Sequence, residues 1–151
     1  MKNIIRNGSI AGLVMGISLF IGGAILARIF YGPQMAPEGK FKASQMNPFY
    51  FIWTKLMIGI IFGIIFTFLY EKLPLVKRIS SIRKGLKYAF FFWLIISLWN
   101  LSHPVMYETF DFQNNIFWLL YTLCGFAGYG LTIGFLYKKQ MKHTITEIKY
   151  G

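Results

Sequence analysis

At 151 residues the chain has the length of one domain, yet its composition excludes a soluble one: 56% of residues are hydrophobic and only 14% are charged, where an ordinary globular protein has about 25%. In water such a chain would expose several long apolar runs, and patches of that size drive aggregation. The net charge of +11 does not make it a nucleic-acid binder, because Lys and Arg sit between the apolar runs instead of lining one polar face.

Four apolar stretches reach the roughly 20 residues that a helix needs to cross a bilayer. The first spans about 8–31. Its basic start, apolar stretch and Gly22-Gly23-Ala24 resemble a signal peptide with its cleavage site, but the run continues past Ala24 to Phe30, beyond the length of a signal core. A retained helix is the expectation. The second spans about 48–70, with Asn47 as N-cap and Pro48 at the first helical position. In the connection that follows, Leu75, Ile79, Ile82 and Leu86 recur at helical spacing among Lys77, Arg78 and Lys84. That pattern predicts a short helix lying on the membrane surface, attracted to anionic lipid.

The third stretch spans about 85–103 and is ended by Pro104; the fourth spans about 115–137, with Asn114 and Asn115 as capping groups. Backbone polar groups in lipid must be satisfied internally, so unbroken runs of this length are helices, and the alternation of a transmembrane β-barrel is absent. The expected fold is therefore all-α, a single-domain bundle of four transmembrane helices.

Orientation follows from the basic residues of the short connections. Lys2 and Arg6 precede the first span; Lys72, Lys77, Arg78, Arg83, Lys84 and Lys87 lie between the second and third; Lys138, Lys139, Lys142 and Lys149 follow the fourth. These twelve face only Lys40 and Lys42 on the opposite side, where the third loop carries Glu108 and Asp111. The bias predicts an inner-membrane protein with both termini in the cytoplasm. Tyr31, Phe49, Tyr50, Trp53, Trp99 and Trp118 then mark the outer interface, and Tyr70 and Tyr137 the inner one.

The two halves resemble one another. Phe68-Leu69-Tyr70-Glu71-Lys72 matches Phe135-Leu136-Tyr137-Lys138-Lys139, in that register Gly63 falls on Gly130, and Arg6-Asn7-Gly8 matches Arg83-Lys84-Gly85. Two helical hairpins in the same orientation would be a parallel repeat about an axis along the membrane normal. The alternative is that any two hairpins with basic inner ends share such features.

Glycine spacing is the most specific local signal. Gly8, Gly12 and Gly16, then Gly59 and Gly63, then Gly130 and Gly134 recur at four-residue intervals, which lets helix backbones approach closely in lipid. These stripes predict tight packing of the first, second and fourth helices within the chain, or an interface with a partner subunit or a second copy. The third helix, with Phe90, Phe91, Phe92, Trp93 and Trp99 and no interior glycine, is expected to be peripheral or to dock a partner.

Ionisable residues inside spans are costly and mark candidate sites. Arg28 and Lys55 qualify, and Asn100, His103, Glu108 and Asp111 lie toward the same outer side, where they can line a vestibule for an ion or ligand. The competing reading has both basic side chains snorkelling to the interface, or pairing with the acidic ones. No cofactor is expected. His103 and Met106 suit Cu(I), but no second histidine lies in a span, and His143 belongs to the tail. Cys124 is a lone cysteine in an apolar run and forms no metal or disulfide pair. Ser97 and Ser102 near His103 do not make a hydrolase, and no carboxylate pair lies at membrane depth, so no catalytic residue is assigned.

In its basic start before Gly8-x-x-x-Gly12, its Gly59-x-x-x-Gly63 leading to Phe68-Leu69-Tyr70, its Arg83-Lys84-Gly85-Leu86 opening and its Gly130-Leu131 to Tyr137 segment, the chain resembles a family of small, uncharacterised four-span bacterial inner-membrane proteins. The resemblance implies a fold and no site residues. The four-span glutathione-linked enzymes differ by a charged motif in their second helix, and the vitamin K epoxide reductases by their cysteines. The leading expectation is a non-enzymatic accessory subunit of a membrane assembly, followed by a small oligomeric transporter or channel, and then a membrane enzyme or redox protein. The expected partners are the bilayer, anionic lipid at the cytoplasmic loop, and other membrane subunits or copies of the chain.

Overall fold

A computed structural model of the chain describes residues 2–32, 48–72, 82–106 and 111–150. Among them are four α-helices and no strand: α1 (Lys2–Tyr31), α2 (Pro48–Lys72), α3 (Ile82–Met106) and α4 (Phe112–Tyr150). Asn3–Tyr31, Ile52–Lys72 and Phe112–Lys138 are long and apolar enough to cross a membrane, which marks the chain as a membrane protein. α3 is as long as α2 but is not in that group; it opens with Arg83, Lys84 and Lys87 and carries Asn100 toward its end.

The helices overrun the expected spans because chain length in a helix is limited by caps and breakers, not by hydropathy. No Pro or Gly stands between Tyr137 and Tyr150, so α4 continues through the basic tail. It starts three residues earlier than expected: Asp111, not the asparagine pair, caps it, with its carboxylate accepting from the Asn114 N–H at 3.2 Å and its carbonyl accepting the Asn115 N–H at 2.9 Å. At the end of α1, Gly32 takes φ of 75° and donates its N–H to the Arg28 carbonyl at 3.1 Å, a left-handed cap that suits glycine. Pro48 does open α2; Asn47 lies outside the described residues. α3 runs through Pro104 to Met106. Ile82 and Leu86 belong to the first turns of α3 and not to a separate surface helix, while Leu75 and Ile79 lie outside the described residues.

Consecutive helices are antiparallel. α1 lies between α2 and α4, and α3 packs on the other side of α4. The α1–α2 contact is made by glycines. A Cβ placed on Gly8 would meet the backbone of Gly63 and Ile64, one on Gly12 the backbone of Gly59 and Ile60, and one on Gly63 the backbone of Gly8 and Gly12. The α3–α4 contact repeats this arrangement: Gly85 lies against the backbone of Gly130 and Gly134, and Gly130 against Ala89 and Gly85. α3 is thus not set apart from the glycine packing, as its interior sequence suggests, because Gly85 and Ala89 give it a small-residue edge in its first two turns. α1 meets α4 through another set, with Gly22 against Cys124, Gly23 against Tyr121, Gly125 against Leu19 and Gly128 against Ser18. Gly22 and Gly23, which resemble a cleavage site in sequence, are packing positions.

Where backbones stay apart, large rings fill the space. The core consists of Ala11, Met15, Phe66, Tyr70, Tyr88, Ala89, Phe126, Tyr129 and Ile133. Phe66 of α2 reaches Phe92 of α3 at 5.1 Å between centroids and Phe126 of α4 at 5.6 Å, and so closes the gap that α1 and its glycines leave on that side.

Candidate functional site

Polar side chains enter this interior at one end, where α1 and α3 begin and α2 finishes. Thr67, Tyr70 and Glu71 share a face of α2 at three- and four-residue spacing. Thr67 is fully buried and its hydroxyl pairs with the Tyr129 hydroxyl of α4 at 3.1 Å. One turn on, the Tyr137 hydroxyl of α4 donates to Glu71 Oε1. Tyr88 of α3 donates to the Phe66 carbonyl of α2 at 2.7 Å. Three helices are therefore joined by hydrogen bonds made within the apolar interior, where an unmade bond leaves a polar group without water.

α1 contributes Asn7, which precedes the glycine stripe and is 1% exposed. Its amide faces the Tyr137 hydroxyl, yet neither its nitrogen nor its oxygen completes a hydrogen bond. The Tyr70 hydroxyl, at 2% exposure, is likewise unpaired, while the Tyr70 ring packs edge-on to Tyr88 at 4.9 Å and against Tyr137 at 5.1 Å. Tyr70 is thus a core residue, not the interfacial marker its position at the end of an apolar run suggests.

A second polar feature lies at the opposite end, between α3 and α4. Ser97, Asn100, Asn115, Trp118 and Thr122 line a cavity of about 30 Å³, room for a water molecule or two. The Ser97 hydroxyl is buried and unpaired, whereas Trp93 donates to the Leu119 carbonyl and to Thr122, each at 3.2 Å. Beyond the cavity, Gln113 donates to the Phe30 carbonyl at 2.8 Å and Tyr31 to Asn114 at 3.3 Å, which ties the end of α1 to the start of α4.

The chain matches no family model, no curated protein and no solved structure in these comparisons. Fold and side chains alone carry the reading. Of the residues singled out in sequence, Arg28, Asn100 and Asp111 stand toward the same end of the fold, on α1, α3 and the cap of α4, while Lys55 of α2 lies level with Gly16, at the middle of α1. Arg28 is exposed, Lys55 sets its ammonium 5.6 Å from the Tyr121 ring centroid, Asn100 lines the small cavity, and Asp111 is committed to capping α4. Glu108 and the His103 side chain lie outside the described residues. Among the described residues no group of three His, Cys, Asp or Glu could hold a metal.

Asn7, Thr67, Tyr70, Glu71, Tyr88, Tyr129 and Tyr137 are not among the site residues expected from sequence. Their one visible signal was Thr67-x-x-Tyr70-Glu71, a polar face at the end of an otherwise apolar helix. Tyr and Glu at a span terminus are common enough as interface residues that the face did not stand out.

Proposed function

We propose that this chain is a bacterial inner-membrane protein in which all four helices cross the bilayer as a bundle, with both termini in the cytoplasm, and that it serves as a non-enzymatic accessory subunit of a larger membrane assembly. Supporting the fourth span, α3 packs antiparallel against α4 along its length, and its basic first turn stands at the same end as the other basic segments. A parallel repeat of two hairpins accounts for the matched glycine contacts Gly8–Gly63 and Gly85–Gly130.

The observation that carries the subunit reading is the outward face of α3. Phe90, Phe91, Leu94, Ile95, Leu98 and Trp99 recur at one- and four-residue steps and are all exposed, with Trp99 at 69%. The outward face of α1 is largely isoleucine, which suits lipid; those of α2 and α3 mix aliphatic with aromatic side chains, and aromatic rings supply the large rigid contacts that protein partners favour. The glycines, by contrast, are consumed inside the chain and do not serve as the docking surface.

The test is extraction in mild detergent, native-size separation and mass spectrometry of the band that holds the chain. Phe91→Ala with Leu98→Ala alters only exposed side chains, and is expected to leave the chain folded and free it from its partners. Migration of the native chain alone would refute the subunit reading. It would then favour the second, a small oligomeric transporter, for which the Ser97, Asn100 and Asn115 cavity is the supporting observation.

A further inference from the structure

The first turn of α1 and the last two turns of α2 enclose a groove of about 520 Å³, lined entirely by Ile4, Ile5, Ile64, Ile65, Phe68 and Leu69. The glycine contact explains its depth. At Gly8 the two backbones meet at Gly63 and Ile64, so the larger side chains on either side stand above a floor without side chains between them.

The end of the groove is cationic. Lys72 sets its ammonium 5.7 Å from the centroid of the Phe68 ring, which itself lines the groove. The neighbouring carboxylate does not neutralise this rim, because Glu71 is turned inward to the Tyr137 hydroxyl. An apolar slot that runs out to uncompensated positive charge has the chemistry of a site for an anionic amphiphile: the slot takes a hydrocarbon chain and the rim takes a phosphate.

We propose that this groove holds an acyl chain of a membrane phospholipid of net negative charge, with the headgroup phosphate paired to Lys72. The inference rests on the membrane-spanning reading above, with the basic end at the cytoplasmic leaflet. A zwitterionic lipid fills the slot equally well, so discrimination falls to that cation. The site is fixed on helices and differs from general attraction of the basic loop to the membrane surface.

The test uses the full chain in mild detergent, equilibrated with equal amounts of phosphatidylglycerol and phosphatidylcholine and read by native mass spectrometry. The native chain is expected to retain phosphatidylglycerol in preference. In Lys72→Ala the preference falls by about fivefold, while total lipid retained stays similar. Ile65→Trp, which fills the slot, lowers retention of both lipids. Lys72 is exposed and the core does not use it, so Lys72→Ala decides the matter even where Ile65→Trp fails to fold. Equal retention of the two lipids by the native chain overturns the proposal, as does an unchanged preference in Lys72→Ala. Carbonate extraction of the same membranes separates the two readings. A chain that resists carbonate but shows no lipid preference loses the lipid site alone, and a chain released by carbonate loses the membrane reading itself.

Discussion

Tyr70 and Tyr137 hold matching places in the two hairpins, under the same offset that carries Gly63 onto Gly130, and their rings meet with centroids 5.1 Å apart at 50°. In the parallel repeat proposed above, equivalent residues would meet in this way only near the axis that relates the halves. The symmetry is incomplete. α1 approaches α4 closely through Gly22, Gly23, Gly125 and Gly128, whereas the corresponding gap between α2 and α3 is spanned by Phe66, Tyr70, Tyr88 and Phe92. One side of the fold is closed by backbone, the other by rings.

The glycine contacts give the first prediction. At Gly12 an added methyl would meet backbone, which cannot rotate away, so Gly12→Ala should destabilise the fold by about 1–3 kcal/mol and Gly12→Leu should abolish it. At Gly32 there is no neighbour within 4 Å and the cost is only that of a left-handed backbone, about 1–2 kcal/mol for Gly32→Ala. Unfolding in mixed micelles compares the three. If Gly12→Leu melts like the native chain, the α1–α2 contact is wrong.

The Thr67–Tyr129 pair should behave as a coupled unit. Thr67→Val and Tyr129→Phe each remove one partner of a buried bond, and each should cost about 1 kcal/mol. A double-mutant cycle should return a coupling of about 0.6 kcal/mol, the average for such bonds between membrane helices. Strict additivity would mean that the hydroxyls do not meet.

Asn7 should respond in opposite directions to two substitutions. Its buried amide completes no bond within the chain, so Asn7→Leu is expected to leave stability unchanged or raise it by about 1 kcal/mol. Asn7→Asp introduces a buried carboxyl beside the Tyr137 hydroxyl and should lower stability by several kcal/mol, because a charge is costly away from water. A loss on Asn7→Leu as large as that on Asn7→Asp would show that the amide is engaged after all.

The helices themselves were legible in sequence, because apolar length and helix length coincide wherever a span is bounded by polar residues. Their ends were less so, since a helix stops at a cap and not where hydropathy falls, as α4 beyond Tyr137 illustrates. The stripes Gly8-Gly12-Gly16 and Gly59-Gly63 announced close packing, but spacing does not say which helix fills a stripe; Gly85 needed its neighbour Ala89 and the facing Gly130 to become meaningful. The polar interior was hidden for a different reason. Asn7, Tyr70, Glu71 and Tyr137 are far apart in the chain, each is ordinary at the end of a span, and only the folded arrangement brings them together.

The central claim is that α3 crosses the bilayer as the other helices do and that both termini share one side. Cys124 packs on Gly22, so Cys124→Ala removes the one native thiol without adding bulk. In that background Ser44→Cys, Ser81→Cys, Thr109→Cys and Thr144→Cys sample the three connections and the tail, and a membrane-impermeant maleimide reports each in intact cells. Labelling of positions 44 and 109 in intact cells, with 81 and 144 reacting only after permeabilisation, is the predicted result. Positions 81 and 109 reacting alike would mean that α3 does not cross, and the four-span account would fail.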